Sequence, residues 1–370
     1  MTHPLCDIIL SVCKILIDRK DVVMKKIDSR ADTDGSIGRS IRKGAKNKKI
    51  LILLLLAVLL LSLAASICIG TVQVSFHDLV CALGSGPYSI NEQILRYVRI
   101  PRVCAAALAG MGLAVAGALI QTILGNPLAG PNIIGVNSGA GFCVVLFSAL
   151  FPDCYNGVPV AAFAGALAAV SLVYWTAKKT ESSRITIVLS GVAINSILSA
   201  ATDVVYTFHT DSLTRSNGFR IGGFNGVNTK ILFPAGIAIV IAVLLSFCLH
   251  HELEVLSLGE DTARSLGLPV SFYRFLFLLL AAVLAGASVS FAGLLGFVGL
   301  IIPHAARLLV GEECRYLLPV SALFGAVFVV LCDLLARTLF QPFELPVGIV
   351  LSFIGAPCFI GLLFRQRRRN

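Results

Sequence analysis

Charged residues are scarce in this sequence, and this scarcity decides its class. Only 14% of the 370 residues are charged, 57% are hydrophobic, and the mean hydropathy is +0.89. A soluble domain of this composition would expose too much apolar surface to stay dispersed. Apolar runs of about 20 residues are long enough to cross a hydrocarbon core of about 30 Å. The composition therefore excludes a soluble globular protein and predicts an all-α polytopic membrane protein.

Motifs for covalent and metal chemistry are also missing. No Gly-Lys dipeptide occurs, so the phosphate-binding loop GxxxxGK[ST] is excluded and the chain is not expected to hydrolyse nucleotides itself. The eleven cysteines form no CxxC pair, and the six histidines lack ligand spacing. We therefore expect no catalytic residues, no metal site and no cofactor bound by this chain.

Carboxylates inside the apolar runs, which mark proton- or ion-coupled carriers, are limited to Asp203 and Asp333. Both lie towards the ends of their runs, and Arg337 follows Asp333 by one helical turn, at the spacing of an ion pair. A self-energised secondary transporter is thus the poorly supported alternative. If the protein transports a solute, the energy is expected to come from another subunit.

The net charge of +10 does not indicate a nucleic-acid partner, because the basic residues concentrate at a few places. Twelve of the 30 lysines and arginines lie in residues 1–49, and others in 178–184 and 365–369. This is the distribution of the positive-inside rule. It predicts a basic cytoplasmic extension (1–49), either resting on the membrane surface or solvated, and a basic cytoplasmic tail (366–370).

The permease region between these ends (50–365) divides into about ten apolar spans in a compact bundle. An even number of spans places both termini on one side of a bacterial inner membrane, and the distribution of basic residues assigns them to the cytoplasmic side. The second span has small residues at intervals of four, which predicts close helix packing: Ala106, Gly110, Ala114 and Ala118. The predicted spans are 50–70, two within 103–152, 158–177, 185–208, 231–249, 272–290, 294–310, 317–340 and 346–364.

A polar stretch interrupts the apolar runs at residues 256–269. Ser257 and Glu260 have the spacing of a capping box, and Glu260 and Arg264 that of an ion pair. Gly267 and Pro269 supply a stop. The pattern predicts a short helix at about 257–267, which is too short to be stable alone in water. It must therefore lie against its own bundle or against a partner protein.

Several motifs together resemble the FecCD-type permeases, which are membrane subunits of binding-protein-dependent ABC importers for iron–siderophore complexes, haem and cobalamin. The resemblance covers about residues 50–365. Residues 219–223 depart from the family pattern, which usually begins with Trp at this point. The motifs that carry the resemblance are Arg99–Arg102, Asn126–Ala129, Leu256–Gly267, Gly296–Leu300, Pro303-His304 with Arg307, and Glu344–Gly348.

The resemblance implies a fold like that of the cobalamin-importer permease, with ten transmembrane helices. It also implies a homodimer or a heterodimer with a paralogous permease, embedded in membrane lipid. Two ABC ATPase subunits carry ATP and Mg, and an extracytoplasmic substrate-binding protein selects the substrate. Iron(III)–siderophore import is the expected function, with haem or cobalamin import as the alternative.

Residue roles follow from the same resemblance, each with a simpler alternative. Arg99, Arg102 and Arg337 are expected to dock carboxylates of the binding protein; the alternatives are snorkelling and, for Arg337, an internal pair with Asp333. The ATPase-coupling residues are expected to be Leu258, Gly259, Glu260, Asp261, Ala263, Arg264, Leu266 and Gly267, with Leu258, Thr262 and Leu266 forming one face.

The remaining candidates lie at the inner end and along the route of the substrate. His304 and Arg307 are expected to shape an inner gate or the ATPase interface, or merely to end a helix. Asn126 and Pro127 are interpreted mainly as a cap. The substrate pathway candidates, for which helix–helix hydrogen bonding is the alternative, are Ser190, Asn195 and Ser199.

Overall fold

Helices account for all the regular structure in the computed structural model, which describes residues 37–69, 93–179, 184–340 and 343–367. Most of the predicted extension, residues 1–36, and the last three residues of the predicted tail lie outside the described residues. The helices are α1 (Ile37–Cys68), α2 (Ile100–Leu124), α3 (Val136–Leu150), α4 (Val158–Lys179), α5 (Arg184–Phe208), α6 (Asp211–Ile221), α7 (Thr229–Cys248), α8 (His250–Ser257), α9 (Glu260–Ser265), α10 (Val270–Ala292), α11 (Val298–Val310), α12 (Cys314–Thr338) and α13 (Val347–Arg367).

The predicted all-α membrane fold of about ten spans is confirmed. Within the described ranges, seven helices are long and apolar enough to cross a membrane: α1, α2 with the turn before it, α4, α5, α7, α10 and α12. Three shorter apolar helices complete the set, and they correspond to α3, α11 and residues 347–361 of α13. The stretch 103–152, for which two spans were predicted, contains most of α2 and all of α3, and an irregular turn joins these two helices.

Three helices form the centre of the bundle: α2, α10 and α12. Most of their residues are buried, whereas α1, α4, α5 and α7 lie outside and expose much of their apolar surface. Such exposure is what a membrane-embedded helix needs on the side that faces lipid tails. Among them α2 packs against both α10 and α12, and the three helices carry residues at both ends that are described below.

Glycine pairs permit the central helices to approach closely. A Cβ atom on Gly110 of α2 would collide with the carbonyl group of Gly325 of α12, and a Cβ on Gly325 would collide in return with Gly110. Gly117 of α2 stands in the same way against Gly299 of α11. The close packing predicted from the small-residue stripe is therefore confirmed, since Ala106, Ala114 and Ala118 are fully buried as well.

The ends of α2 follow local sequence signals. One turn of π-helix, Leu95–Arg99, leads directly into α2, which has Pro101 in its first turn, where a missing N–H costs nothing. Gly125 ends the helix with a left-handed backbone (φ 61°). The side-chain oxygen of Asn126 then accepts a hydrogen bond from the Leu128 N–H at 2.9 Å. The interpretation of Asn126-Pro127 as a structural cap agrees with this turn.

Candidate functional site

Functional candidates gather at two opposite ends of the bundle. Arg102 and Gln121 both belong to α2 and are nineteen positions apart, which is about 28 Å along a helix. The arginine end contains the start of α2 and the end of α12. The loop end contains the termini of α2 and α11 together with α8 and α9.

Asp333 is the centre of the arginine end. Its carboxylate is fully buried and accepts hydrogen bonds from Arg102, with Nη2 to Oδ1 at 3.0 Å. The Nε atom of Arg337 lies 3.1 Å from Asp333 Oδ2, one turn along α12. Arg102 also pairs with Glu344, from Nη1 to Oε2 at 2.6 Å. Two guanidinium groups are thus balanced by two carboxylates, which is the condition for burying charge.

Arg99 and Arg337 bind the C-terminal end of α1. Arg99 donates to the carbonyl oxygens of Ile67 at 2.7 Å and Cys68 at 3.2 Å, which are the last carbonyls of that helix. Arg337 donates to the carbonyl oxygen of Ser66 at 3.1 Å. A cation at a helix C-terminus satisfies carbonyls that have no intrahelical partner and complements the helix dipole.

The three predicted docking arginines are therefore brought together, but as buried residues. Arg99, Arg102 and Arg337 are 5%, 7% and 4% exposed. The alternative of an internal pair between Arg337 and Asp333 is confirmed. The docking role of the three stays a prediction, and the carboxylate most accessible beside them is that of Glu344. The motif Glu344–Gly348 was recognisable in the sequence, but the contact of Glu344 with Arg102 was not, because the two residues are far apart along the chain.

At the loop end, the predicted capping box is wrong. Ser257 is the last residue of α8, and its hydroxyl donates to the Glu254 carbonyl oxygen at 2.6 Å. Leu253 and Leu256 are both buried, and their packing extends α8 as far as Ser257. The helical conformation is interrupted at Gly259, whose φ of 111° is favourable only for glycine, and α9 begins at Glu260. The predicted helix 257–267 is thus the C-terminus of α8, a break, and α9.

The predicted stop and ion pair of this helix are confirmed. Gly267 has a left-handed backbone, and the Leu268 N–H donates to the Ala263 carbonyl oxygen at 3.0 Å. Together with the bond from Gly267 to Arg264, this is a Schellman motif. Arg264 Nη2 lies 3.0 Å from Glu260 Oε1.

The surface of α9 is divided between its own bundle and solvent. Ala263 is fully buried against the bundle. Leu258 and Leu266, which flank the helix on its two sides along the chain, are 61% and 63% exposed. Thr262, within the helix, is exposed as well. Asp261 is exposed beside them. All three residues are exposed, but the break at Gly259 separates Leu258 from α9, so Leu258, Thr262 and Leu266 do not form one helical face as predicted.

Arg307 joins two helices at this end. Its Nη2 donates to the Thr122 hydroxyl at 2.8 Å and its Nη1 to the Gln121 side-chain oxygen. Gln121 is buried and donates onward to the Leu300 carbonyl oxygen at 3.0 Å. Arg307 thus ties the end of α11 to the end of α2, whereas His304, one turn earlier, is half-buried beside this contact. The gate role of both residues stays a prediction.

The pathway candidates lie on α5, the most exposed of the long helices described. Asn195 donates to the Asn132 carbonyl oxygen at 2.9 Å, so the alternative of helix-to-helix hydrogen bonding holds for this residue. Ser190 is half-buried and Ser199 is exposed. Ser196 and Asp203 share an exposed face with Ser199, at spacings of three and four. This spacing is visible in the sequence, and it could have identified Ser196 as a further pathway candidate.

The FecCD transport family model matches residues 54–365, which include both ends described above. The chain belongs to the FecCD transport family. It is thus the permease subunit of an ABC transporter and a multi-pass membrane protein. The family assignment made from the sequence motifs is confirmed.

Relatives of this FecCD permease align along almost their whole length. The Fe(3+)-citrate import system permease protein YfmD of Bacillus subtilis is 35% identical over 328 residues, which are 89% of this chain and 98% of that protein. The heme-iron transport system permease protein IsdF of Staphylococcus aureus is 34% identical over 329 residues, covering 88% and 99%. The names of these relatives span more than one iron chelate.

A solved structure has the same fold. The inward-facing conformation of a metal-chelate type ABC transporter superposes with a TM-score of 0.75 and 29% identity, covering 86% of this chain and 99% of that chain. The fold of this FecCD bundle is thus shared with a transporter of this type. The part of this chain that extends beyond the match is mainly at its basic N-terminus.

Proposed function

We propose that this FecCD permease carries iron(III)–siderophore complexes into the cytoplasm, with haem or cobalamin as the alternative substrate. The named relatives that carry ferric citrate and heme iron support a chelated metal as the substrate class. The observation that carries an ABC-type mechanism is α9, a helix of six residues flanked by two exposed leucines, Leu258 and Leu266.

A separate ATPase subunit docks on α9 in this proposal. A helix this short gains little stability of its own, yet Glu260 and the Schellman motif hold it in shape. Leu258 and Leu266 then offer an apolar contact, framed by Asp261 and Arg264. ATP and Mg bind to that subunit, and the loop end with both chain termini faces the cytoplasm.

The arginine end faces outward and receives the substrate-binding protein. Arg99, Arg102 and Arg337 hold α1, α2 and α12 together there, and a carboxylate of the binding protein replaces Glu344 on Arg102. Asp333 is committed to ion pairs with two arginines of the bundle. This commitment favours the ATP-driven importer over a proton-coupled carrier.

A second permease, identical or paralogous, covers α5 and completes the substrate route. Ser196, Ser199 and Asp203 form a polar stripe on an otherwise apolar helix. Polar groups facing lipid tails are costly, so such a stripe belongs at a helix interface or a water-filled path. Ser190 and Asn195 lie on the same helix and extend its polar positions towards the cytoplasm.

The ATPase contact is tested by changing Leu258→Asp and Leu266→Asp together. We expect the variant to fold but to retain less than about a tenth of the co-purified ATPase, because two charges replace the apolar centre of the contact. Leu213→Asp on α6, an exposed leucine at the opposite end, is the matched control and keeps the ATPase. Equal retention in both variants would refute docking at α9.

The substrate is tested in proteoliposomes that contain the permease, the ATPase and the binding protein. Uptake of iron-labelled ferric siderophore, ferric citrate and haem, and of labelled cobalamin, is measured with and without ATP. The proposal expects ATP-dependent uptake that is highest for a ferric siderophore. Uptake driven by a proton gradient without the ATPase would favour the secondary carrier instead.

A further inference from the structure

Arg274 is a buried charged side chain on a largely apolar helix. It lies in the first turns of α10, is 2% exposed, and is among the largest fully buried side chains described. Its Nη2 lies 2.9 Å from Glu260 Oε2. Burying a guanidinium group is costly unless a carboxylate neutralises it. Glu260 thus provides the buried charge of Arg274 with a neutralising carboxylate from α9, the proposed ATPase-docking helix.

Glu260 uses its two oxygens for two different arginines. Oε2 binds buried Arg274, whereas Oε1 binds Arg264, whose side chain is 63% exposed. The pair with Arg264 is screened by water and contributes little, whereas the pair with Arg274 is shielded from water. Glu260 and Arg274 thus form a buried attachment of α9 to α10, beside the packing of Ala263 against the bundle.

The backbone on both sides of α9 is built to turn. Gly259 and Gly267 have φ values of 111° and 81°, and a Cβ on either would meet nothing within 4 Å. Neither glycine is therefore packed against another part of the described chain. Open space beside both glycines leaves room for α9 to shift, and the Glu260–Arg274 pair links the helix to α10.

The opposite end of α10 is tied to α6 and α13. The Leu294 N–H donates to the Phe219 carbonyl oxygen at 2.9 Å, and the Gly223 N–H to the Ala292 carbonyl oxygen at 2.8 Å. Gly348 at the start of α13 donates to the Gly222 carbonyl oxygen at 3.2 Å. Arg274 and Ala292 are eighteen positions apart on α10, which is about 27 Å along a helix.

We propose that the Glu260–Arg274 ion pair transmits movement of α9 to α10, and through α10 to the end of α6 on the other side of the membrane. This inference rests on the proposed docking of the ATPase at α9. Both residues are positioning residues: they couple ATP hydrolysis to opening of the bundle without touching nucleotide or substrate.

The test uses the full complex in proteoliposomes, with Glu260→Gln and Arg274→Gln as single variants. We expect both to keep the ATPase bound, and to lose about tenfold in labelled ferric siderophore taken up per ATP hydrolysed, because the force is no longer transmitted. Glu313→Gln, which removes only the partly exposed Lys48–Glu313 pair, is the control and is expected to stay within about twofold of the wild type. The exchange Glu260→Arg with Arg274→Glu should recover part of the coupling, as expected for residues that interact directly.

Arg274→Lys keeps the buried cation and serves if the neutral variant does not fold; it is expected to retain more coupling than Glu260→Gln. Unchanged uptake per ATP in Glu260→Gln would overturn the proposal. Loss of the bound ATPase in Glu260→Gln would also overturn it, since Glu260 would then be a direct contact. A wild-type complex that neither binds the ATPase nor shows ATP-driven uptake would overturn the proposed function itself, and the inference with it.

Discussion

Single buried charges hold the arginine end together. Asp333 contacts Arg102 and Arg337 from a position with no solvent access, and Glu344 supplies the second negative charge at the surface. The spacing of Asp333 and Arg337 was readable as an ion pair from the sequence. The contribution of Arg102 was not, because it reaches Asp333 across 231 residues of chain.

We predict that Asp333→Asn strongly destabilises the protein. Removing one partner of a buried pair typically costs about 3–5 kcal/mol, because the remaining charge is left without compensation. The apparent Tm of the purified permease in detergent is the measurement. Glu344→Gln is the matched control and is expected to lower Tm much less, since Glu344 is 32% exposed and water replaces part of the interaction. An equal fall in both variants would contradict the argument.

Phe297 shows a second effect at the residue scale. It has a left-handed backbone (φ 64°), the only such residue besides glycines in the described ranges, and it begins α11. Its side chain lies where a Cβ on Gly355 of α13 would be. A bulky residue tolerates this conformation only when its surroundings enforce it. The motif Gly296–Leu300 was recognisable in the sequence, but this conformation was not.

At the scale of elements, the short helix α9 shows where local signals mislead. The stop at Gly267 and the Glu260–Arg264 pair depend on nearby residues and were predicted correctly. The start was not, because burial of Leu253 and Leu256 extends α8 to Ser257, past the point at which a capping box would begin a new helix. Tertiary packing thus outweighs a cap, which contributes only about 1 kcal/mol.

The contact between α2 and α12 gives a prediction for glycine. Gly110→Ala is expected to destabilise the bundle by about 1–3 kcal/mol, because the added methyl group would overlap the Gly325 carbonyl group and force the helices apart. The readout is the apparent Tm together with the yield of monodisperse protein.

Gly218→Ala on α6 is the control for this substitution, since a Cβ there has no neighbour within 4 Å. Its Tm should be unchanged or slightly higher, because alanine favours a helix over glycine by up to about 1 kcal/mol. A Gly110→Ala protein as stable as the wild type would show that the two helices can separate at no cost.

At the scale of the whole molecule, the surface of α5 calls for a partner. A polar stripe on the exposed apolar helix α5 distinguishes it from α7, which exposes only apolar residues between Phe233 and Leu245. We predict that Ser199→Cys, in a protein whose native cysteines are replaced, forms a covalent dimer upon mild oxidation in the membrane.

The matched control is Ile241→Cys on α7, which is 54% exposed but apolar in its surroundings. It should remain monomeric in denaturing gels under the same oxidation. Equal cross-linking of both variants would indicate random collision, and no cross-linking of Ser199→Cys would exclude a second copy of this chain at that position of α5.

The sequence by itself determined the class, the helical bundle of about ten spans, the family and the position of the loop that contains α9. Each of these depends on composition, on runs of apolar residues or on motifs that are contiguous in the chain, and such signals survive without knowledge of contacts. The small-residue stripe of α2 belongs with them, because close packing is a property of the helix face itself.

The tertiary structure alone decided the partners of the charges. Arg102 with Glu344, Arg307 with Gln121, and Arg274 with Glu260 are set by how the helices cross. In a membrane bundle a buried charge must be neutralised by whichever group the packing brings within reach. Since packing places the partner, the sequence identifies which residues are charged but only the fold identifies what they bind.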